Sequence, residues 1–229
     1  MSAHGSMSSG SGPVAVLTSG GLDSAVLVAE FLSQGRVVQP IYVRFGLAWE
    51  EVEEAHLRRF LDTLRSVDLR SLVTLDFPIA DVYESHWSVS ADGIPDARTP
   101  DEAVYLPGRN LLLLAKSSVW CALHDYSIIA FGTLKGNPFA DSSRDFFSGF
   151  ESIVHTALSC PLEILTPFSP LTKTEVLRIG RDLELELRHT FSCIDPQAGH
   201  HCGRCNKCAE RQRAFAALPI NDATSYALL

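Results

Sequence analysis

Two stretches of this chain carry residues whose types and spacing suit chemistry. The first is Ser19-Gly20-Gly21-Leu22-Asp23-Ser24. Its adjacent glycines permit backbone conformations that a Cβ would hinder, and they let another group approach closely. Ser19 and Ser24 add hydroxyl donors. The stretch is neither a Walker sequence, which needs a Lys, nor a dinucleotide fingerprint, which needs Gly at three set positions. The second is Cys193, Cys202, Cys205 and Cys208, spaced C-x8-C-x2-C-x2-C. A C-x2-C pair folds both sulfurs toward one point, and four thiolates make a tetrahedral Zn²⁺ cage. An iron–sulfur cluster uses the same four ligands, and His200 or His201 could compete as one of them. Cys121 and Cys160 are isolated and read as inert.

The elements that position these residues follow from pattern. Pro13-Val14-Ala15-Val16-Leu17 is apolar and β-branched, and reads as a buried strand. Ala25 to Leu32 has helical spacing and meets a stop signal at Gly35. The Ser/Gly stretch therefore lies between a strand and a helix start, where unpaired N–H groups and the dipole suit an anion, phosphate first. Further strands are expected at Val37 to Arg44, Leu69 to Leu75, Ser127 to Thr133 and Leu162 to Leu165. Helices are expected at Glu50 to Leu64, Ala80 to Trp87, Leu111 to Leu123, Phe146 to Leu158, and from Thr172 to about Leu183. This alternation predicts crossover units and a parallel sheet. Thr172-Lys173-Thr174-Glu175 is a capping box that does not itself require Lys173. Asn110 sits where a helix cap would sit. Arg109 beside it is well placed for a phosphate or a carboxylate. Residues 88–107 form a long turn-rich loop, expected to be functional or mobile.

The chain has 229 residues, 46% of them hydrophobic, with a net charge of −8. That is enough for one large domain with a small appendage. An acidic chain argues against a large nucleic-acid footprint. No apolar run is long enough to span a bilayer, and no secretory signal is visible, so a soluble, cytoplasmic protein is expected. Residues 1–12 are Ser/Gly-rich and read as a flexible leader.

Ser19 to Ser24 resembles the PP-loop of ATP pyrophosphatases. Asp23 would then hold Mg²⁺ beside triphosphate oxygens, or alternatively cap the helix. Leu106-Pro107-Gly108-Arg109-Asn110, Ser169-Pro170-Leu171-Thr172-Lys173-Thr174-Glu175-Val176, Thr190-Phe191-Ser192-Cys193 and the cysteine spacing extend the likeness. Together they resemble the 7-cyano-7-deazaguanine (preQ0) synthase family over Val14 to Leu218. The resemblance implies an α/β fold of the adenine-nucleotide α-hydrolase type, a Rossmann-like parallel sheet flanked by helices. Residues 13–188 would form the ATP-binding domain, and residues 189–229 a helical, zinc-binding C-terminal segment. It implies ATP, Mg²⁺ and Zn²⁺ as cofactors, a 7-deazaguanine carboxylate and ammonia as substrates, a homodimer, and no membrane partner. Leu17, Thr18, Ser19, Gly20, Gly21, Leu22, Asp23, Ser24, Arg109 and Asn110 would bind ATP. Arg109 would face the substrate carboxylate or the α-phosphate, and Lys173 the phosphate charge of the transition state. Asp23, Arg109 and Lys173 are the expected catalytic set. The family's Tyr-Gly-Gln-Arg/Lys-His is replaced by Phe45-Gly46-Leu47-Ala48-Trp49, and the run after strand four by residues 135–144. A paralogue adenylating another carboxylate is therefore a second reading. A tRNA-thiolation enzyme and an ATP-binding zinc module without turnover are the others.

Overall fold

In the computed structural model, which describes residues 12–227, the first apolar run forms β1 (Val14–Leu17) and every residue of it is buried. The expected leader lies almost wholly outside the described residues. The chain continues through α1 (Leu22–Ser33), β2 (Val38–Arg44), α2 (Glu50–Thr63) and β3 (Val73–Asp76). Two single turns, α3 (Ala80–Tyr83) and α4 (Trp87–Ser90), precede α5 (Arg109–Leu123), β4 (Ile128–Ala130), α6 (Arg144–Leu158) and β5 (Glu163–Leu165). The last helices are α7 (Lys173–Asp182) and α8 (Asn206–Ala216).

The five strands form one parallel sheet in the order β3-β2-β1-β4-β5. Side chains alternate across it, as strand pleating requires. Val14 and Val16 join a core with α1, α2, α7 and the end of α8. Ala15 and Leu17 join a second core with α5, α6 and the four clustered cysteines. The expected doubly covered parallel sheet is what the chain forms. The order reverses between β1 and β4, and an open α/β sheet binds ligands at the strand ends of such a switch point.

The differences from the sequence reading have local causes. β3 begins at Val73 and not at Leu69, which makes only a lone bridge to Val38. Pro40 has no N–H to give, and Gln39 Nε2 donates instead to Ser71 O at 2.8 Å. β4 ends at Ala130 because Gly132 turns away against the start of α1; a Cβ there would lie 3.3 Å from Asp23 C and Ser24 N. The helix expected at Ala80 to Trp87 is broken by Glu84 at φ +48°. The 88–107 loop is tied to the cysteine segment: Asn206 N donates to Pro95 O and Ala97 N to Arg204 O, both at 2.9 Å. Asn110 is not a cap. Gly108, at φ +68°, occupies the cap position of α5 and Asn110 lies in the first turn. The capping box of α7 forms as expected, with Thr172 N donating to Glu175 Oε2 at 2.7 Å.

Among the described residues no helix is long and apolar enough to cross a membrane. Helices α1 and α7 pack closely through Gly180, where a Cβ would lie 2.9 Å from Val26 Cγ2 and 3.2 Å from Leu187 Cδ2. Gly180→Val should therefore cost about 1–3 kcal/mol through overpacking. Urea denaturation measures this, and an unchanged midpoint would contradict so close a contact.

Candidate active site

The Ser/Gly stretch folds as a tight loop over the start of α1. Thr18 N and Oγ1 both donate to Ile41 O, at 2.8 and 3.0 Å, which anchors the loop to β2. Ser19 N donates to Ser24 Oγ at 3.2 Å, and Ser24 Oγ donates to Gly21 O at 3.2 Å. Gly20 needs its missing Cβ. It sits at φ +75°, and a Cβ would lie 3.0 Å from Glu53 O on α2. Gly20 thus faces α2, while Leu17, Thr18, Ser19, Gly21, Leu22, Asp23 and Ser24 line a cleft of about 310 Å³. Arg109, Asn110 and Lys173 line the same cleft. The structure brings together all the expected ATP and catalytic residues except Gly20, which supports the loop from behind.

Asp23 does not cap α1; the cap residue is Gly21, without a side-chain hydrogen bond. Its Oδ2 accepts from Lys173 Nζ at 2.6 Å, and its Oδ1 is buried without a partner. Lys173, at the first position of α7, also pairs with Glu210 Oε1 of α8 at 3.3 Å, and Lys207 pairs with the other Glu210 oxygen. Four charges of alternating sign therefore run Asp23–Lys173–Glu210–Lys207 into the cleft. Burial would lower the Lys173 pKa, but Asp23 and Glu210 more than offset it and raise the value. Burial would likewise raise Glu210, yet Lys173 and Lys207 hold it at about 2.

Arg109 stands across the cleft with its Nε buried and unpartnered, as is Thr133 Oγ1 just beyond β4. Buried polar groups are normally satisfied. With Asp23 Oδ1, these three orphaned atoms on separate elements make the cleft a candidate ligand position. Asp141 clamps the mouth of α5: its Oδ2 accepts from Asn110 N at 3.0 Å, and its carbonyl accepts from Asn110 Nδ2 at 3.1 Å. The outer wall is apolar. Trp49 and Trp87 stack at 5.7 Å with planes 15° apart, and Phe45 and Leu47 lie beside them.

Behind the loop, the four expected cysteines are buried, and all their sulfurs lie within 4.8 Å of one another. The Cys193–Cys205 and Cys202–Cys208 separations are both 3.9 Å. A tetrahedral metal with sulfur at about 2.3 Å spaces its ligands by about 3.8 Å, so the set fits such an ion. Amides of Asp195, Cys202, Arg204, Cys205 and Cys208 point at these sulfurs. Gly203, at φ +77°, makes the turn between two of the ligands. His201 is no ligand here, because its Nε2 accepts from Ser192 N at 3.1 Å. Phe191 stacks on His56 and meets the tilted ring of His201, and its N–H donates to Gly20 O at 2.7 Å. The cysteine segment therefore touches the Ser/Gly loop directly.

The sequence matches the family described as queuosine biosynthesis protein QueC over residues 13–219. This chain belongs to the QueC family. A relative from Methanosphaerula palustris named 7-cyano-7-deazaguanine synthase is 28% identical over 218 residues, covering 92% of this chain and 97% of its own. One of the same name from Syntrophotalea carbinolica is 29% identical, covering 93% and 95%. The NMN synthetase of Francisella tularensis shares the fold, with a TM-score of 0.50 at 13% identity, covering 91% of this chain and 77% of that one.

In this QueC chain the sequence reading missed Glu53, Tyr42, Lys207, Glu210 and Thr133 as residues of the cleft or its charge network. Glu53 was hidden in an acidic first turn that the helix dipole already explains. Lys207 lies between two cysteines that drew the whole reading to themselves. Thr133 sits at the end of an apolar run, which is itself a signal in a parallel sheet.

Glu210 has a folded pKa below its ordinary 4.5, so its pairing adds stability above about pH 4.5 that is lost as the pH falls toward 2. Glu210→Gln should flatten the loss of stability across that window relative to the parent. Urea titrations at stepped pH test this, and parallel pH profiles would contradict it.

Proposed function

We propose that this protein is an ATP-dependent carbon–nitrogen ligase that converts 7-carboxy-7-deazaguanine, with ammonia, to 7-cyano-7-deazaguanine, releasing AMP and pyrophosphate. The observation that carries the proposal is a nearly full-length match to the family with the anion loop, Arg109 and Lys173 gathered in one cleft. A carboxylate is a poor electrophile, because oxide is a poor leaving group. Attack of the carboxylate on the α-phosphate of ATP replaces oxide by AMP. Ammonia then displaces AMP to give the amide. A second adenylation, on the amide oxygen, lets the nitrile form as AMP departs.

Ser19, Gly21, Leu22, Asp23 and Ser24 would hold the β- and γ-phosphates through first-turn amides and hydroxyls, with Gly20 shaping the turn. Asp23 Oδ1, buried and unpartnered, suits Mg²⁺. Bound there, the ion would screen the triphosphate charge. Lys173 lies close enough to Asp23 to neutralise pyrophosphate as it leaves. Arg109, with a free buried Nε, would meet the α-phosphate or the substrate carboxylate. We take residues 13–188 as the ATP-binding unit and 189–229 as a segment held by zinc at Cys193, Cys202, Cys205 and Cys208. Leu111, Val119 and Leu123 lie exposed along α5 and would serve a homodimer.

The Trp49–Trp87 wall favours a second reading, a paralogue adenylating a different flat acid, since three polar positions of the family are apolar here. Product analysis by mass spectrometry with 7-carboxy-7-deazaguanine, ATP, Mg²⁺ and ammonia separates the two. Nitrile together with AMP is expected; intact ATP, or amide alone, would contradict the main proposal. Arg109→Met should lower turnover on the order of 10²-fold with an unchanged melting temperature, and unchanged turnover would remove Arg109 from the site. Elemental analysis should find one zinc per chain, and chelation should lower the melting temperature. Iron with visible absorbance would replace zinc by a cluster.

A further inference from the structure

The amide-forming step releases a proton, and one side chain stands where it can take it. Glu53 projects from the first turn of α2 into the cleft, on the helix that backs Gly20. Its Oε2 accepts from Tyr42 Oη at 2.8 Å, and the Trp49 indole also donates toward the carboxylate. Lys173 and Arg109, the cations expected to serve phosphate, are placed differently. Lys173 is engaged by Asp23 and Glu210, while Arg109 faces Glu53 across the cleft without an ion pair among the described residues. A carboxylate of this kind is not a phosphate ligand, because its charge opposes the triphosphate. It is matched to a cationic or proton-donating partner.

We propose that Glu53 is the general base that receives the proton of the attacking ammonia, with Tyr42 and Trp49 orienting its carboxylate. The inference rests on the ligase reading above. In the step, the nitrogen lone pair forms the C–N bond to the acyl adenylate. The acyl C–O bond breaks, its electron pair leaves on the phosphate oxygen of AMP, and one N–H proton passes to Glu53. One ammonia and one acyl adenylate give one amide, one AMP and one protonated Glu53.

The groups facing Glu53 are Tyr42 from β2, Arg109 from α5, and Glu50 and Trp49 at the start of α2. Burial raises the Glu53 pKa to about 7, although Arg109 and Tyr42 pull the other way. A base titrating there is about half ionised at neutral pH and strong enough to accept a proton. Burial and Glu53 raise the Tyr42 value far above that of an ordinary phenol, so Tyr42 stays a donor.

Glu53→Gln keeps the shape and the Tyr42 hydrogen bond but cannot take a proton. The test uses the full chain with 7-carboxy-7-deazaguanine, ATP and Mg²⁺, and reads two steps separately. ATP–pyrophosphate exchange reports adenylation, and mass spectrometry reports amide and nitrile. The variant should retain exchange and lose amide formation by 10²-fold or more. Hydroxylamine, unprotonated at neutral pH and more nucleophilic, should restore product as the hydroxamate. At a fixed concentration of free ammonia, the parent's amide formation should fall as the pH drops below about 7, and the variant's should not follow that profile. Amide formation at the parental rate, or equal loss of exchange and amide, would overturn the assignment. Absence of exchange and AMP in the parent would overturn this inference and the ligase reading together, which distinguishes the two failures.

Discussion

The alternating charges Asp23–Lys173–Glu210–Lys207 tie three helices to one point, and the site depends on that arrangement. A pocket for polyphosphate must collect cations before its ligand arrives. Uncompensated, partly buried cations would repel one another and resist burial. Alternating the signs resolves this. Asp23 comes from the first turn of α1, Lys173 from α7, and Glu210 and Lys207 from α8. No single segment supplies a balanced set, so the charges are compensated only when all three helices have docked.

This constraint explains why the cysteine segment belongs to the site and is not a separate ornament. Cys205 caps α8, and its sulfur accepts from Cys208 N at 3.4 Å. A metal gripping Cys205 and Cys208 would fix the first turn of the helix that carries Lys207 and Glu210. From the other side, Arg211 is only 1% exposed and donates to Thr190 Oγ1 at 2.8 Å and Leu187 O at 3.0 Å. The adjoining Phe191 then reaches Gly20. Two short paths of contacts therefore join the four sulfurs to the Ser/Gly loop.

Much of this was legible in the sequence. The strand–loop–helix at residues 13–33, the capping box at Thr172 and the four-cysteine spacing are local signals, and each stands where it was expected. The reading failed where a residue's role depends on a distant partner. Asn110 looked like a cap, but Asp141, 31 residues away, satisfies that helix start. The spacing of Ser169 to Val176 could not show that Lys173 meets a carboxylate 150 residues earlier. Strand β4 looked longer because apolarity continues past Ala130, whereas Gly132 must pass against α1. Trp49 and Phe45 are buried in the core and also wall the cleft, a double role that apolarity alone does not reveal.

The measurement that bears most directly on the account is the fate of the carboxylate oxygens. Substrate labelled with ¹⁸O in its carboxylate is turned over with ATP, Mg²⁺ and ammonia, and the AMP is examined by mass spectrometry. Activation at the α-phosphate predicts that each AMP released carries one substrate oxygen, one from the acid and one from the amide. Label found in inorganic phosphate or in water, with unlabelled AMP, would contradict adenylation at this cleft.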